Sequence, residues 1–371
     1  MVATYSYLSG DGGGIYASRA NLNAIAEIAG KVVDLAPAAP GRMPEGISPK
    51  VTVVPVYDRR GAVRKGIDFY FRGLIHRFSL CFEEYLSEDT YDLVVFDGSC
   101  ASYGLIDKAH EHGAKVITIH HNWQYEYARD NTRGILSPLY LHWIRVIERE
   151  AVLKSEVNLT LTGQDALLLA REYAGGDAGS MKVLGTFEYS RRPLPPAGDR
   201  RGEAVFAITG NLSSPQTEDS LIPWIAEYYP ILREMCPKAR LVVAGLNPGE
   251  RLRKACRDNG IELIASPADM APVLEASGYY ICPTALGGGI KLRIMDGLRY
   301  GLPVLTHEVS ARGYDAFAGG CLFTYADAGS FRDSLAGILR CGMSPAEVQE
   351  RYRDVFSFDA GVERMRGILD G

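Results

Sequence analysis

The chain has 371 residues, 47% hydrophobic and 23% charged, which excludes a disordered chain and provides apolar material for two cores at roughly 100–200 residues per domain. With a net charge of −5 and a pI near 5.9, no global positive field draws it to nucleic acid, and no nucleic-acid partner is expected. Seven scattered cysteines with no C-x-x-C pair exclude zinc-finger spacing and a disulfide framework, so no metal site is expected and a cytoplasmic protein with reduced thiols is. The first residues lack the basic start and apolar stretch of a signal peptide, and no apolar run approaches the ~20 residues of a membrane span, so any membrane contact is expected to be peripheral.

Short β-branched runs alternate with amphipathic stretches from the start. The pattern predicts strands over 4–8, 31–35, 51–56, 91–96, 115–119, 157–161 and 182–184. Helices are predicted between them, at 15–29, 66–86, 102–112, 137–154 and 164–173. This βαβ rhythm implies a parallel sheet covered by helices on both faces. Residues 189–203, YSRRPLPPAGDRRGE, interrupt it with prolines, glycines and charges, and read as an interdomain linker that buries nothing. A second series follows, with strands over 204–209, 240–244, 261–264, 279–282, 303–305 and 320–324. Its helices are predicted over 217–235, 250–258, 270–276, 291–300, 330–339 and 345–355. The expectation is an α/β protein of two Rossmann-like, doubly wound domains. They span 1–190 and 204–343, with helices in 344–371 crossing back to the first. Sheets of this kind bind ligands at the carboxyl ends of their strands, so the cleft between two such domains is the expected site.

The richest segment is PTALGGGIKLRIMDGLRYGLPVLTHEVSARG, residues 283–313. Gly287, Gly288 and Gly289 follow a predicted strand and lead into a helix at Lys291. Glycines let backbone N–H groups approach a ligand, and a helix start favours an anion. A lysine in a first helical turn, the end that disfavours cations, makes sense if a diphosphate neutralises it. Asp296 returns to the face of Gly289 two turns on and could accept from a ribose diol. The plainer alternatives are a tight turn and an Asp296 pairing with Arg293 or Arg299.

Earlier in the chain, Gly13 and Gly14 open the first helix, either as a phosphate or sugar loop or as a plain β–α turn. They do not form a dinucleotide fingerprint, since position 17 is alanine. His120 and His121 close the strand KVITI, and either could meet a sugar hydroxyl. Residues 58–78 combine arginines and lysines with aromatic side chains. They could lie on an anionic membrane surface, or form a solvated helix face over a core.

In fixed register, Gly287, Gly289, Ile290, Lys291, Arg293, Asp296, Gly297, Gly301, Pro303 and Val304 resemble the signature of retaining glycosyltransferases of family 4, roughly G-x-G-I-K-x-K-x-x-E-A-x-x-x-G-x-P-V. ITGNLSSPQTEDS resembles the opening of that family's second domain, and VITIHHNWQYEYARDN and SGDGGG resemble first-domain loops. The resemblance implies the GT-B architecture, with Gly210, Asn211, Gly245, Gly287, Gly288, Gly289, Ile290, Lys291 and Asp296 on the donor, joined by Gly13 and Gly14. It assigns catalysis to Lys291 and to the His120–His121 pair. It further implies retaining, metal-independent transfer from a nucleotide diphosphate-sugar, UDP-sugar as the first guess, to a hydroxyl acceptor such as a glycan, glycolipid or lipid-linked sugar in polysaccharide biosynthesis at the inner face of a membrane. No cofactor beyond the donor is expected. The sequence departs from the pattern at Gly288, where many members carry glutamate, at Asp296, one methylene short, and after Gly210, where an arginine–lysine pair is replaced by Asn211 and Gln216. The alternative these departures raise is a catalytically degenerate partner of an active transferase.

Overall fold

The structure, a computed structural model, describes residues 1–9, 12–37, 44–58, 60–74, 78 and 81–370. The chain forms two compact units, Met1–Arg191 with Ser357–Gly371, and Arg192–Phe356.

The first unit is built on β1 (Val2–Thr4), β2 (Val32–Pro37), β3 (Val51–Val56), β4 (Leu93–Asp97), β5 (Lys115–His120), β6 (Val157–Thr160) and β7 (Met181–Val183). They form a parallel sheet in the order β3-β2-β1-β4-β5-β6-β7. Because side chains alternate along a strand, β4 and β5 serve two cores. Val95, Ile117 and Ile119 face the helices Gly13–Ile28 and Phe358–Leu369. Val94, Phe96 and Val116 face a second layer containing Phe78, Phe82, Leu105 and Ile106. Burial on both faces explains why these strands are continuous apolar runs.

The second unit has β8 (Val205–Asn211), β9 (Arg240–Leu246), β10 (Glu262–Ala265), β11 (Tyr279–Cys282), β12 (Val304–His307) and β13 (Leu322–Tyr325), all parallel, in the order β10-β9-β8-β11-β12-β13. One face packs under Trp224, Ile225, Phe331 and Leu335. The other packs under Ile294, Leu298, Tyr352 and Phe356.

Four expectations are corrected. The chain returns to the first unit at Ser357 rather than at 344. The helix Pro345–Phe356 stays with the second unit because Tyr352 and Phe356 are core residues there, the Phe356 ring stacked on Phe317 at 5.4 Å. Only Phe358–Leu369 joins the first. There the Arg364 guanidinium donates to the carbonyls of Leu184 (2.9 Å) and Thr186 (3.2 Å), and Gly361 lies against Phe187 so closely that a Cβ would stand 2.1 Å from its ring.

The segment read as a linker does bury contacts. Leu194 packs on the second core, Gln349 donates to the Pro195 carbonyl at 2.9 Å, and Arg201 donates to the carbonyls of Cys341 (2.7 Å) and Met343 (3.1 Å). Proline removes N–H donors but leaves carbonyls to accept, so a proline-rich strap can be tied down.

The helix predicted over 66–86 runs from Ala62 to Arg72, and a separate one covers Phe82–Glu88. Gly73 ends the first at φ +66°, where a Cβ would fall 2.4 Å from the Trp143 ring. The helix predicted over 217–235 divides into Pro215–Glu227 and Tyr229–Met235, the second opening on Pro230.

Candidate functional site

In the second unit the loops after β8 and β11 meet. Gly287 and Gly289 adopt φ of +80° and +68°, conformations that glycine reaches without strain. A Cβ on Gly287 would stand 2.8 Å from the Gln216 amide, so Gln216 lies directly against the glycine loop. Gly210, at φ +142°, has the Arg293 guanidinium where a Cβ would stand 3.1 Å from its central carbon. Arg293 donates to the Thr217 hydroxyl at 3.0 Å and reaches the Thr284 hydroxyl at 3.4 Å. It thereby ties the first turn of the helix Pro215–Glu227, which follows β8, to the loop after β11 through a half-buried cation bonded to neutral hydroxyls.

Lys291 takes part in the loop itself. Its ammonium donates to the carbonyls of Gly287 (3.1 Å) and Gly288 (2.9 Å), and its own carbonyl accepts from the Tyr314 hydroxyl at 2.9 Å. The helix expected from 291 starts at Arg293, running to Arg299, and Lys291 belongs to the loop before it. Ile290 packs against the core and anchors the loop. Asp296 is exposed in the first turn of the helix. Asn211 is exposed and closes a local turn, its Oδ1 accepting from the Ser213 amide at 3.1 Å and hydroxyl at 2.7 Å. Gly245 has a packing reason of its own, since a Cβ there would stand 1.9 Å from the Gly210 carbonyl oxygen. The structure thus gathers Gly210, Gly287, Gly288, Gly289 and Lys291, and adds Arg293 and Gln216.

In the first unit, Gly13 and Gly14 are exposed in the first turn of the helix Gly13–Ile28. Among the described residues no side chain caps its leading N–H groups, and such a helix start suits an anion. A Cβ on Gly14 would lie 3.9 Å from His121 Nδ1, so the glycine turn and this histidine are neighbours. Gly10 and Asp11 of the same loop lie outside the described residues.

The two histidines separate. His120 is 1% exposed, and its Nε2 bonds Asn158 Oδ1 at 2.9 Å inside the unit. Burial pushes its pKa down to about 4, so it is neutral at physiological pH. His121 lies beyond the strand and pairs through Nε2 with Asp97 Oδ1 at 2.9 Å. Burial opposes its protonation, but the Asp97 carboxylate outweighs burial and raises the pKa. Asp97 is in turn lowered: burial works against its charge, and His121 and the Asn21 amide, which donates at 2.9 Å, overcome it. His121 thus stands, with its pKa raised by Asp97, beside the start of the helix Gly13–Ile28, the end of a helix that suits an anion.

The loop after His121 is held by Glu148. Its carboxylate accepts from the amides of Gln124 (2.7 Å) and Tyr125 (3.0 Å) and from the Tyr173 hydroxyl (2.9 Å). Trp123 donates from its amide to Asp165 at 3.1 Å. Sequence reasoning missed Arg293 as a bridge, Asp97 as the partner of His121, and Glu148. Arg293 stood in the matched register, and Asp97 closes an apolar strand just before Gly98, so both carried a readable signal; Glu148, in mid-helix, carried none.

Residues 203–341 match the family Glycosyl transferases group 1. The whole chain shares the fold of sucrose-phosphate synthase from Thermosynechococcus elongatus, at a TM-score of 0.72 and 14% identity, covering 100% of this chain and 98% of that one. The lipopolysaccharide outer core galactosyltransferase WaaB matches at 0.66 and 12%, covering 100% and 98%. Anabaena HepE, solved with UDP, matches at 0.65 and 11%, covering 100% and 98%. These identities make the likeness one of fold. An uncharacterized 44.6 kDa protein in the cps region of Klebsiella pneumoniae is 29% identical over 114 residues, 29% of this chain and 29% of the relative. The chain has the two-unit α/β fold of these GT-B structures, and the part of it that matches Glycosyl transferases group 1 lies in the second unit.

Proposed function

We propose that this protein transfers a sugar from a nucleoside diphosphate-sugar, UDP-sugar first among them, to a hydroxyl acceptor with retention of configuration. The observation that carries the reading is the cationic glycine loop. Lys291 and Arg293 converge on glycines held at positive φ, inside the segment that matches a glycosyltransferase family. A diphosphate would replace the loop carbonyls as the partner of Lys291 and would take the outward donors of Arg293. Both cations would then stabilise the charge that builds on the leaving diphosphate, and they supply positive charge without a metal. Asp296 would accept from the ribose. In this reading Arg293 does the work of the arginine–lysine pair absent after Gly210.

His121 is the histidine assigned to sugar hydroxyls, with Asp97 fixing its tautomer and charge. As the bond from the anomeric carbon to the phosphate breaks and the acceptor oxygen bonds that carbon, the leaving phosphate would take the acceptor proton, with no carboxylate nucleophile. The test is turnover: the protein is incubated with UDP-sugars and lipid-linked or oligosaccharide acceptors, and both product and anomeric configuration are read by NMR. Axial product from an axial donor is expected. Diphosphate binding with no transfer to any acceptor would favour the degenerate-partner reading instead, which Gly288 at the glutamate position motivates.

A further inference from the structure

The helix Ala62–Arg72 is turned inside out. A surface helix ordinarily buries an apolar stripe and shows charge to water. Here the buried residue is Asp68, 2% exposed, held by Arg60 (3.1 Å), Arg64 (3.3 Å) and Arg72 (3.1 Å). The residues facing out are Val63, Ile67 and Phe71, at 78%, 47% and 73% exposure, spaced four apart along one ridge. The helix is nevertheless fixed in place. Phe69 stacks on Tyr140 at 5.1 Å, and the Trp143 indole N–H donates to the Tyr70 carbonyl at 2.9 Å. One turn before Tyr140, Ile135 and Leu136 are also exposed.

Charge decides what could cover this ridge. The carboxylates of Asp58 and Asp68 are turned inward, while Arg64, Lys65 and Arg72 keep much of their side chains in solvent. Outward, the helix therefore shows apolar groups bordered by positive charge, on a chain whose net charge is −5. A second copy would set like charges against each other. An anionic bilayer offers hydrocarbon for the ridge and phosphates for its flanks.

We propose that the helix Ala62–Arg72 docks the protein peripherally on the surface of an anionic phospholipid bilayer. The helix follows the carboxyl end of β3, an edge strand parallel to β1 and β5, so it leaves the sheet edge that also carries Gly14 and His121. If the sugar-transfer reading holds, a bilayer there would present a lipid-linked hydroxyl to that edge. The docking itself does not depend on that reading.

The test is co-sedimentation of the full chain with vesicles of phosphatidylcholine alone or mixed with phosphatidylglycerol. Wild type is expected to bind the anionic vesicles at least tenfold better, less so as salt rises. The double variant Ile67→Ser/Phe71→Ser, altered only at exposed positions, is expected to bind at least tenfold more weakly with unchanged circular dichroism and UDP affinity. Equal binding of wild type and variant, or no vesicle binding at all, overturns the proposal. So does a wild type that dimerises through this face, with a monomeric variant and no lipid effect. A protein that binds vesicles but no nucleoside diphosphate would leave the docking intact and sink only the sugar-transfer reading.

Discussion

Arg293→Ala separates a ligand-binding cation from a structural strut. In the structure the guanidinium donates to the Thr217 hydroxyl at 3.0 Å and to the Thr284 hydroxyl at 3.4 Å, and it is half-buried. The donor is charged and the 3.0 Å contact is the stronger of the two, so its loss costs about 1.5–3 kcal/mol of stability, a fall in Tm of roughly 3–12 °C for a unit of this size. A charge-assisted bond to phosphate is worth about 1.5–3 kcal/mol, so loss of one weakens UDP roughly ten- to hundredfold. The two losses are therefore of similar size, and a ligand-binding cation is marked by a loss of affinity measured on protein that is still folded. Titration calorimetry on wild type, Arg293→Ala, Arg293→Lys and Thr217→Val measures it. Arg293→Lys is expected to fall between, since lysine keeps the charge but loses the fork. Thr217→Val is expected to change affinity by about threefold or less, since it removes a bond and no charge. A folded Arg293→Ala that binds UDP within twofold of wild type would refute the reasoning.

Three further outcomes follow from the first unit. Asp97→Asn removes the carboxylate that holds the His121 pKa up, so the His121 NMR titration midpoint should move down; an unmoved midpoint would show that the pair does not set the charge. In stability terms, a raised His121 contributes fully below its ordinary 6.5 and less as pH rises through its folded pKa, while a lowered Asp97 loses its contribution only as pH falls through its own folded value. His120 runs the other way: depressed from 6.5 to about 4, it stabilises above 6.5 and loses about 2–3 kcal/mol as pH falls toward 4. Asp34 and Glu148, pushed up by burial to about 7 and about 8, titrate with the opposite sign, so the readout is the difference between wild type and His120→Asn in urea at pH 7.5 and 4.5, and no difference would count against a buried neutral His120. Glu148→Ala leaves two amides and the Tyr173 hydroxyl without their acceptor, and is expected to destabilise the first unit's transition by roughly 1–3 kcal/mol for each group left unpaired; a total loss under about 1 kcal/mol would mean that water replaces the carboxyl group.

Both parallel sheets were legible because doubly buried strands such as 115–119 and 240–244 are near-continuous apolar runs separated by amphipathic stretches. The glycine loop was legible because backbone conformation and charge there depend on local residue types. Long-range partners were harder to read. Nothing near Gly361 says that Phe187 will press against it, and nothing near Pro195 says that Gln349 will reach its carbonyl. The choice between His120 and His121 had a local clue. His120 continues the β5 ladder opposite Thr160, whereas His121 lies one residue past it. The helix Ala62–Arg72 was legible as basic and aromatic, but its inversion around Asp68 depends on which face packs, and three-dimensional contacts decide that.

The central claim is that the loop of Gly287, Gly289, Lys291 and Arg293 holds a nucleoside diphosphate. Its most direct test is calorimetric titration with UDP, GDP, ADP and dTDP on the native protein and on Lys291→Ala, with Tm recorded for both because Lys291 also braces the loop carbonyls. One diphosphate, UDP first, is expected to bind selectively, and Lys291→Ala to weaken it at least tenfold while remaining folded. Binding of none of the four, or equal binding by a folded Lys291→Ala, would contradict the claim.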